Sequence, residues 1–459
     1  MFFAFIVYFS FNILQYQTTN ETYEIPSNQN FKSALHNLDE YSVWPNYINF
    51  LNKESSQELI HNQNLMRDQC LKSFFENRKN LTIENLKEVI ETWKLSQDKK
   101  CSYFYKIFTD IYEIKFKQNY LNMGKNLIFK VKKMLNNDEN LFKLVYEQKL
   151  INVFNKFTNE ENVFNPLRPK RPISKPDIPA AKFYEKTIDE TKSNCDFCSE
   201  DLTAYSNADR IRTQFSYSSA NLFPFDENHE LFLPRKHDLL SLNFEEFKDL
   251  LSLPNQWFKK LYQKDPSLNY PVILWDFLFK GGASQIHPHI HGTINQKRYY
   301  GTFETIRNGA ERYFRETNRN YFNDFTLIHD MLNLTFVYKN SVVIFPLTPK
   351  KDYDVTILSE NYGEEIIELL YAILKTYFYD LEIYPFSLTI YFPFMDENYN
   401  NGRIPVVVKI IPRGDISSIR SDMSTLELMT IFNANFDQFA VRTKMKELIE
   451  KRLAEFQGI

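Results

Sequence analysis

The sequence lacks a net charge of either sign to speak of: 55 basic residues meet 58 acidic ones over 459 positions, leaving −3. That balance excludes bulk electrostatic attraction to nucleic acid as the basis of function. Beyond its first sixteen residues the chain also lacks any apolar run of transmembrane length, so no stable membrane span is expected. Glycine is scarce (10) while Phe (42) and Tyr (28) are abundant, and no function follows from that bias. Basic residues are missing from the N-terminus, where the first is Lys32. Only four cysteines and eight histidines are present.

The apolar content suffices for a sizeable core. A hydrophobic fraction of 43% is globular rather than disordered, and the length allows two or three domains. Met1 to Tyr16 is almost wholly apolar and is followed by Gln17-Thr18-Thr19-Asn20. This is the length of a signal-peptide core, so residues 1–18 are expected to be a signal peptide and the chain secreted or lumenal. The absent N-terminal charge keeps a buried N-terminal element, in a cytoplasmic chain, as the alternative. Cys70 and Cys101 fall on separate expected helices and would pair in an exported chain. Asn20-Glu21-Thr22, Asn80-Leu81-Thr82 and Asn333-Leu334-Thr335 match glycosylation acceptors, a pattern that chance supplies readily.

Residues 28–160 read as a helical module. Leu81 to Ile90 carries an apolar stripe at helical spacing with Thr82 as N-cap, and Tyr105 to Leu150 repeats the texture. Asn165 to Ala181 breaks it with five prolines and the run Arg168-Pro169-Lys170-Arg171, and reads as an extended linker. Strands and helices then alternate. Glu230–Leu233 and Tyr270–Trp275 are strand-like around a helix at Phe244–Tyr262. A second copy of the order follows, with strands at Val342–Phe345, Tyr384–Ile390 and Pro405–Pro412 around a helix at Gly363–Tyr379. The fold class expected is therefore α+β, with a duplicated unit over 164–330 and 331–455 behind an all-helical N-terminal domain. The second copy has no histidine in place of those in the first, which predicts one active site per chain.

Chemistry concentrates in Gly281-Gly282-Ala283-Ser284-Gln285-Ile286-His287-Pro288-His289-Ile290-His291. Alternate residues of an extended strand share a face, so the three imidazoles would point one way. Gly282 and its neighbour would let the backbone present N–H groups to a phosphate, beside the Ser284 hydroxyl and the Gln285 amide. Histidine in such a setting serves as nucleophile, metal ligand or general acid.

Cys195-Asp196-Phe197-Cys198 can close a knuckle around zinc, each thiolate supplying one ligand. His237, at the end of Leu233-Pro234-Arg235-Lys236-His237, and His287 would complete a closed tetrahedral site holding one structural Zn2+ per chain. His289 is then left free to attack an α-phosphorus, with Arg168 and Arg171 neutralising phosphate charge. A solvated basic linker and two free buried thiols are the plain alternatives.

In this order the residues resemble the galactose-1-phosphate uridylyltransferase branch of the histidine-triad (HIT-like) superfamily. Asn165-Pro166-Leu167-Arg168-Pro169-Lys170-Arg171-Pro172 looks like its phosphate-gripping entry segment, Cys195 and Cys198 like its zinc knuckle, and Asn221-Leu222-Phe223-Pro224 like its nucleoside-contacting strand. His287-Pro288-His289 matches its His-Pro-His signature, which implies His287 as a zinc ligand and His289 as the nucleophile. The Gly-Ala-Ser-Gln before it resembles the dinucleoside-polyphosphate phosphorylases of the same superfamily. The resemblance covers roughly residues 164–450. It further implies a sugar-contacting Glu427 and a homodimer.

Two departures shape the expectation. Where the uridylyltransferases carry Gln two residues past the nucleophile, this chain has His291, completing His-x-His-x-His as in the histidine-triad hydrolases. A third imidazole can protonate a leaving group or engage phosphoryl oxygens. Tyr391, Val407 and Lys409 stand where a second metal would need histidines, so none is expected. The expected function is nucleotidyl transfer or phosphorolysis of a nucleoside diphosphate-sugar or dinucleotide through a covalent His289 intermediate. The alternatives are nucleotide hydrolysis, with His291 assisting, and a catalytically silent zinc-stabilised binding protein.

Overall fold

The structure, a computed structural model, describes residues 66–77, 80–171, 178–205, 210–396 and 404–457. The expected signal peptide at 1–18 lies outside the described residues.

The strands are, in chain order, β1 (Tyr112–Tyr120), β2 (Glu147–Asn155), β3 (Glu161–Phe164), β4 (Ser216–Ala220), β5 (His229–Pro234), β6 (Tyr270–Phe277), β7 (Ile290–Asn295), β8 (Thr335–Tyr338), β9 (Ser341–Ile344), β10 (Val355–Ser359), β11 (Phe386–Tyr391), β12 (Val406–Pro412) and β13 (Ile431–Phe432). Nine of them form one sheet, ordered β4-β5-β7-β6-β11-β12-β10-β9-β8, in which every neighbour pair is antiparallel. The chain is α+β, as expected. From the centre outward, the order is β6-β7-β5-β4 on one side and β11-β12-β10-β9-β8 on the other.

One face of the sheet is closed by helices. The Phe244–Lys264 helix starts at a capping box, in which the Asn243 side chain accepts from the Glu246 N–H and the Glu246 carboxylate from the Asn243 N–H. Its Phe247, Leu250, Leu251 and Phe258 recur at helical spacing and are buried, each stabilising the fold by roughly 1.5–3 kcal/mol. Gly292 of β7 faces this layer: a Cβ there would meet the Phe232 ring at 2.7 Å. Since neighbours along a strand alternate, His291 lies on the opposite face of β7.

The all-helical reading of 28–160 is corrected. Helices at Leu86–Leu95, Lys99–Ile111, Lys125–Met134 and Glu139–Tyr146 alternate with the paired strands β1 and β2. Tyr112, Ile114 and Phe116 alternate with Glu113, Lys115 and Lys117, a period-two pattern inside a stretch whose wider apolar spacing reads as helical. The segment is also tied to the C-terminal part of the chain. β2 pairs with β3, and β3 with β13, into a second sheet ordered β1-β2-β3-β13. Its buried Phe104, Ile107 and Phe108 belong to the same hydrophobic core as Phe322, Ile328 and Met331.

Cys70 and Cys101 form a disulfide with their Cα atoms 5.3 Å apart. Thr82 caps as expected, but the turn it opens is a 3₁₀ turn at Ile83–Asn85 that runs into the Leu86–Leu95 helix.

Candidate functional site

The histidine run is only partly strand. β7 begins at Ile290, so His291 sits in the ladder opposite Leu231 and Leu274, while His287 and His289 precede it. This splits the three imidazoles between two neighbouring clusters.

In the first, the ligand atoms of Cys195, Cys198, His237 and His287 all lie within 4.8 Å of one another. His287 Nδ1 is 3.5 Å from both cysteine sulfurs, and His237 Nδ1 is 3.4 Å from Cys198 Sγ. Both rings are turned by partners behind them. His287 Nε2 lies 2.8 Å from the Pro234 carbonyl, which can only accept, so Nε2 carries the proton and the Nδ1 lone pair faces the sulfurs. His237 Nε2 meets Thr191 Oγ1 at 3.1 Å, and that hydroxyl spends its own proton on the Thr187 carbonyl. His237 therefore also turns a lone pair inward.

These donors fit zinc. Sulfur at about 2.3 Å and nitrogen at about 2.0–2.1 Å on tetrahedral corners stand about 3.5 Å apart. Burial and then the neighbouring Cys195 push the Cys198 thiol up to about 12. Two adjacent sulfurs cannot both ionise there without a cation between them. Four protein donors leave no open position, which is the arrangement of a structural site.

The second cluster adds a residue that the sequence reading missed. His291 Nδ1 lies 2.9 Å from Nε2 of His229, the first residue of β5, and Asn221 Nδ2 lies 3.3 Å from the same His229 nitrogen. The Phe225 backbone N–H points at His229 Nδ1 at 3.4 Å. The Phe225 N–H can only donate to His229 Nδ1, and the Asn221 amide, whose oxygen is taken by the Phe223 N–H, can only donate to Nε2. The two therefore compete for the one lone pair of a neutral ring, and a single proton lies between His229 Nε2 and His291 Nδ1. With that proton on His229 Nε2, the His291 proton is on its own Nε2. The only sequence signal for His229 is its even spacing from Leu231 and Leu233 along one strand face, which is weak.

His289 joins the two clusters. Its Nδ1 lies 2.9 Å from the His287 carbonyl oxygen, so Nδ1–H donates and Nε2 keeps a lone pair. Phe197, inside the Cys195–Cys198 knuckle, sets its ring edge-on at 5.5 Å from the His289 ring, and His291 stands 5.1 Å away on another side. Burial lowers the His289 pKa, opposed by the His287 carbonyl and by Asp276. Burial followed by His289 and His229 drives His291 down to about 3. Both rings are neutral at physiological pH.

The remaining expected residues divide. Arg168 and Arg171 line a cleft of about 370 Å³ together with Lys350, Lys351 and Glu427, and none of the histidines lines it. No ion pair joins Arg168 or Arg171 to another described residue, and Arg168 Nε is buried without a hydrogen-bond partner. Glu427 accepts from Lys351 Nζ at 2.7 Å and closes a capping box with Ser424, so its carboxylate is held in place by the fold. Gly282 lines an adjoining cleft of about 470 Å³ with Lys280, Arg413 and Arg420. Ser284 and Gln285 are exposed on the turn.

The glycines have a structural explanation. A Cβ on Gly281 would meet the Phe386 carbonyl oxygen at 2.7 Å, and Gly282 adopts φ +111°, where side chains are strained. Just ahead, buried Leu278 holds φ 66° and ψ 161°, a region almost reserved for glycine, so strain is stored at this turn.

No family model matches the chain, and no curated protein sequence is similar to it. Among solved structures it is similar to an ADP-glucose phosphorylase from Arabidopsis thaliana with bound ADP-glucose, at 17% identity over 64% of this chain and 98% of that one, TM-score 0.49. A galt-like protein from Arabidopsis thaliana matches at 17% identity over 55% and 91%, TM-score 0.44. A uridylyltransferase matches at 14% identity over 66% and 99%, TM-score 0.44.

Proposed function

We propose that this chain is a zinc-stabilised nucleotidyl-transfer enzyme of the histidine-triad kind, built on a duplicated α+β unit whose first half carries the chemistry. More narrowly, it is a nucleotidyltransferase or phosphorylase acting on a nucleoside diphosphate-sugar or dinucleotide, with His289 as the nucleophile.

The observation that carries this reading is the tautomer of His289. With Nδ1–H held by the His287 carbonyl at 2.9 Å, the Nε2 lone pair is fixed and unprotonated in a dry setting. Attack of Nε2 on the α-phosphorus forms a P–N bond and breaks the P–O bond to the leaving phosphate or sugar phosphate. An acceptor oxygen then takes the nucleotidyl group and returns the imidazole, so that one hard displacement becomes two easier ones. With Nδ1 accepting from His229, His291 presents Nε2–H from a neutral ring. Held at about 3, its pKa suits a hydrogen-bond donor to a phosphoryl oxygen better than a proton donor to the leaving group. Zinc at Cys195, Cys198, His237 and His287 stiffens the segment on which His289 sits. The guanidiniums of Arg168 and Arg171, in no ion pair among the described residues, suit the phosphate of the leaving group or acceptor, beside Glu427. Exposed Phe223 and Phe225, next to Asn221, offer stacking surface for a base.

A second reading, hydrolysis of a nucleotide, draws on the His229–His291 pair, because a row of imidazoles can hold and orient water as well as a phosphoryl group.

The test is to incubate zinc-loaded protein with a panel of nucleoside diphosphate-sugars and dinucleoside polyphosphates, quench in alkali and measure intact mass. An added nucleoside monophosphate that disappears in His289→Ala is expected. An adduct that survives His289→Ala, or a fully folded protein that neither forms adduct nor turns over any of the panel, overturns the proposal.

A further inference from the structure

The three glycosylation-type triplets are unlike one another once folded. Asn20 lies outside the described residues. Asn80 is exposed, in the bend just ahead of the Ile83–Asn85 turn, and no described residue hydrogen-bonds its side-chain amide. Its backbone carbonyl accepts from the Asn85 side chain, which holds the bend while leaving the amide in solvent. Thr82 accepts from the Asn85 N–H through Oγ1, an arrangement that keeps its own proton available. Asn333 is half-buried at φ 58°, and its Oδ1 accepts from Arg67 Nη1 at 3.3 Å. Behind it Leu334 is fully buried, and the Thr335 hydroxyl is committed to Asp330 at 2.7 Å.

A second, independent observation bears on the same region. The Cys70–Cys101 disulfide brackets Asn80 in sequence. Bridges of this kind form and persist in the oxidising lumen of the secretory route and are rare where thiols are kept reduced. That lumen is also where asparagine glycans are attached.

From these two observations we propose that Asn80 carries an N-linked oligosaccharide and that Asn333 does not. The donor is an oligosaccharide on a polyprenyl diphosphate. The Asn80 amide nitrogen bonds to the sugar C1, the C1–O bond to the diphosphate breaks, and the amide gives up one proton as the lipid diphosphate leaves. A glycan at Asn80 extends into solvent without touching the core. At Asn333 it would displace Arg67 and lie against the buried Leu334–Thr335 strand entry, so a chain modified there would not close its core. A consequence is that the nucleotide chemistry proposed above takes place in the secretory lumen or outside the cell.

The experiment is expression of the full chain, with its own N-terminus, in a eukaryotic cell line. Glycosidase-sensitive gel mobility and peptide mass mapping at Asn20, Asn80 and Asn333 are the readouts, together with alkylation of free thiols. The Asn80 peptide is expected to be glycosylated and the Asn333 peptide unmodified. Asn80→Gln should lose the Asn80 glycan, Asn333→Gln should leave it, and Thr82→Ser, which keeps both the hydroxyl and the cap, should retain it. An unmodified Asn80 in soluble protein, free thiols at Cys70 and Cys101, or a glycan on Asn333 in folded protein each overturns the proposal. None of these readouts depends on enzymatic activity, so failure of the nucleotidyl-transfer reading would leave this result unaffected.

Discussion

His229 Nε2 and His291 Nδ1 lie 2.9 Å apart across adjacent antiparallel strands, with the Phe225 N–H at His229 Nδ1 and the Asn221 amide at its Nε2. As donor from Nε2, His229 acts as a positioning residue: it would hold the tautomer in which His291 shows an N–H to the site. His229→Phe should lower kcat about tenfold, the worth of one good hydrogen bond, with KM nearly unchanged. Because His229 also helps hold the His291 pKa down, the acid limb of the pH–rate profile should move to higher pH in the variant. A fall in rate with no movement of that limb would mark a purely structural role.

His291→Gln tests the donor itself. Glutamine keeps an N–H group, so transfer should be largely spared, whereas His291→Ala should lose roughly 10²-fold, the lower range for removing one donor to a phosphoryl oxygen. Equal losses in the two variants would count against the donor role.

Metal analysis should find one zinc per chain. Structural zinc supplies about 10 kcal/mol or more of apparent folding free energy, so Cys195→Ser should reduce soluble yield and thermal stability sharply. Thr191→Val removes only the partner behind His237, and should weaken zinc affinity about 10–100-fold in a chelator titration while the protein still folds. Soluble, folded wild-type protein without zinc would remove the claim.

The Cys70–Cys101 bridge closes a loop of 31 residues. Cross-links of that span stabilise by about 3–4 kcal/mol in the chain-entropy account. Cys101→Ser should therefore lower the denaturation midpoint, and reductant should lower the wild-type midpoint to match. If reductant leaves the wild type unchanged, the bridge contributes nothing.

His329 is buried with both nitrogens engaged: Nδ1–H donates to the Phe325 carbonyl, and Nε2 accepts from the Leu347 N–H. Burial lowers its pKa to about 4, below the ordinary 6.5. Between those values the unfolded chain binds a proton that the folded chain refuses, so stability is complete above pH 6.5 and is lost as pH falls towards 4. The slope from this residue is at most about 1.4 kcal/mol per pH unit. Urea midpoints from about pH 7 to 4.5 should fall less steeply in His329→Gln than in the wild type, and parallel profiles would refute the assignment.

Spacing, together with the family resemblance, marked the four residues that the fold gathers into a cluster able to hold a metal. The Cys195–Cys198 interval, the Pro234–His237 strand end and the His287 position are local features that survive in a linear reading, because a metal knuckle is a turn and its partners sit at strand ends. The Cys70–Cys101 pairing and the α+β alternation were legible for similar reasons, since apolar periodicity reports local structure directly. The helical reading of 112–120 and 147–155 went wrong because those strands are paired mainly with each other and bury little beyond their roots. With few buried positions to mark a period of two, the spacing of apolar residues did not separate strand from helix.

Which residues face each other was settled by long-range pairing alone. Only its even spacing along the strand marks His229, and it became part of the site because β5 pairs with β7 in a register that sets it opposite Thr293, diagonal to His291. The three histidines are evenly spaced in sequence, yet His287 turns to the sulfurs and His289 and His291 do not, because the strand begins only at Ile290. Gly281 is there for the close approach of the Phe386 carbonyl, a contact 105 residues away in sequence. Residue types and local spacing set which chemistry the chain can perform. Long-range packing places the partners behind His237, His287 and His291, whereas His289 takes its partner from the His287 carbonyl two residues away, since a ring's orientation and tautomer follow the donor or acceptor set behind it.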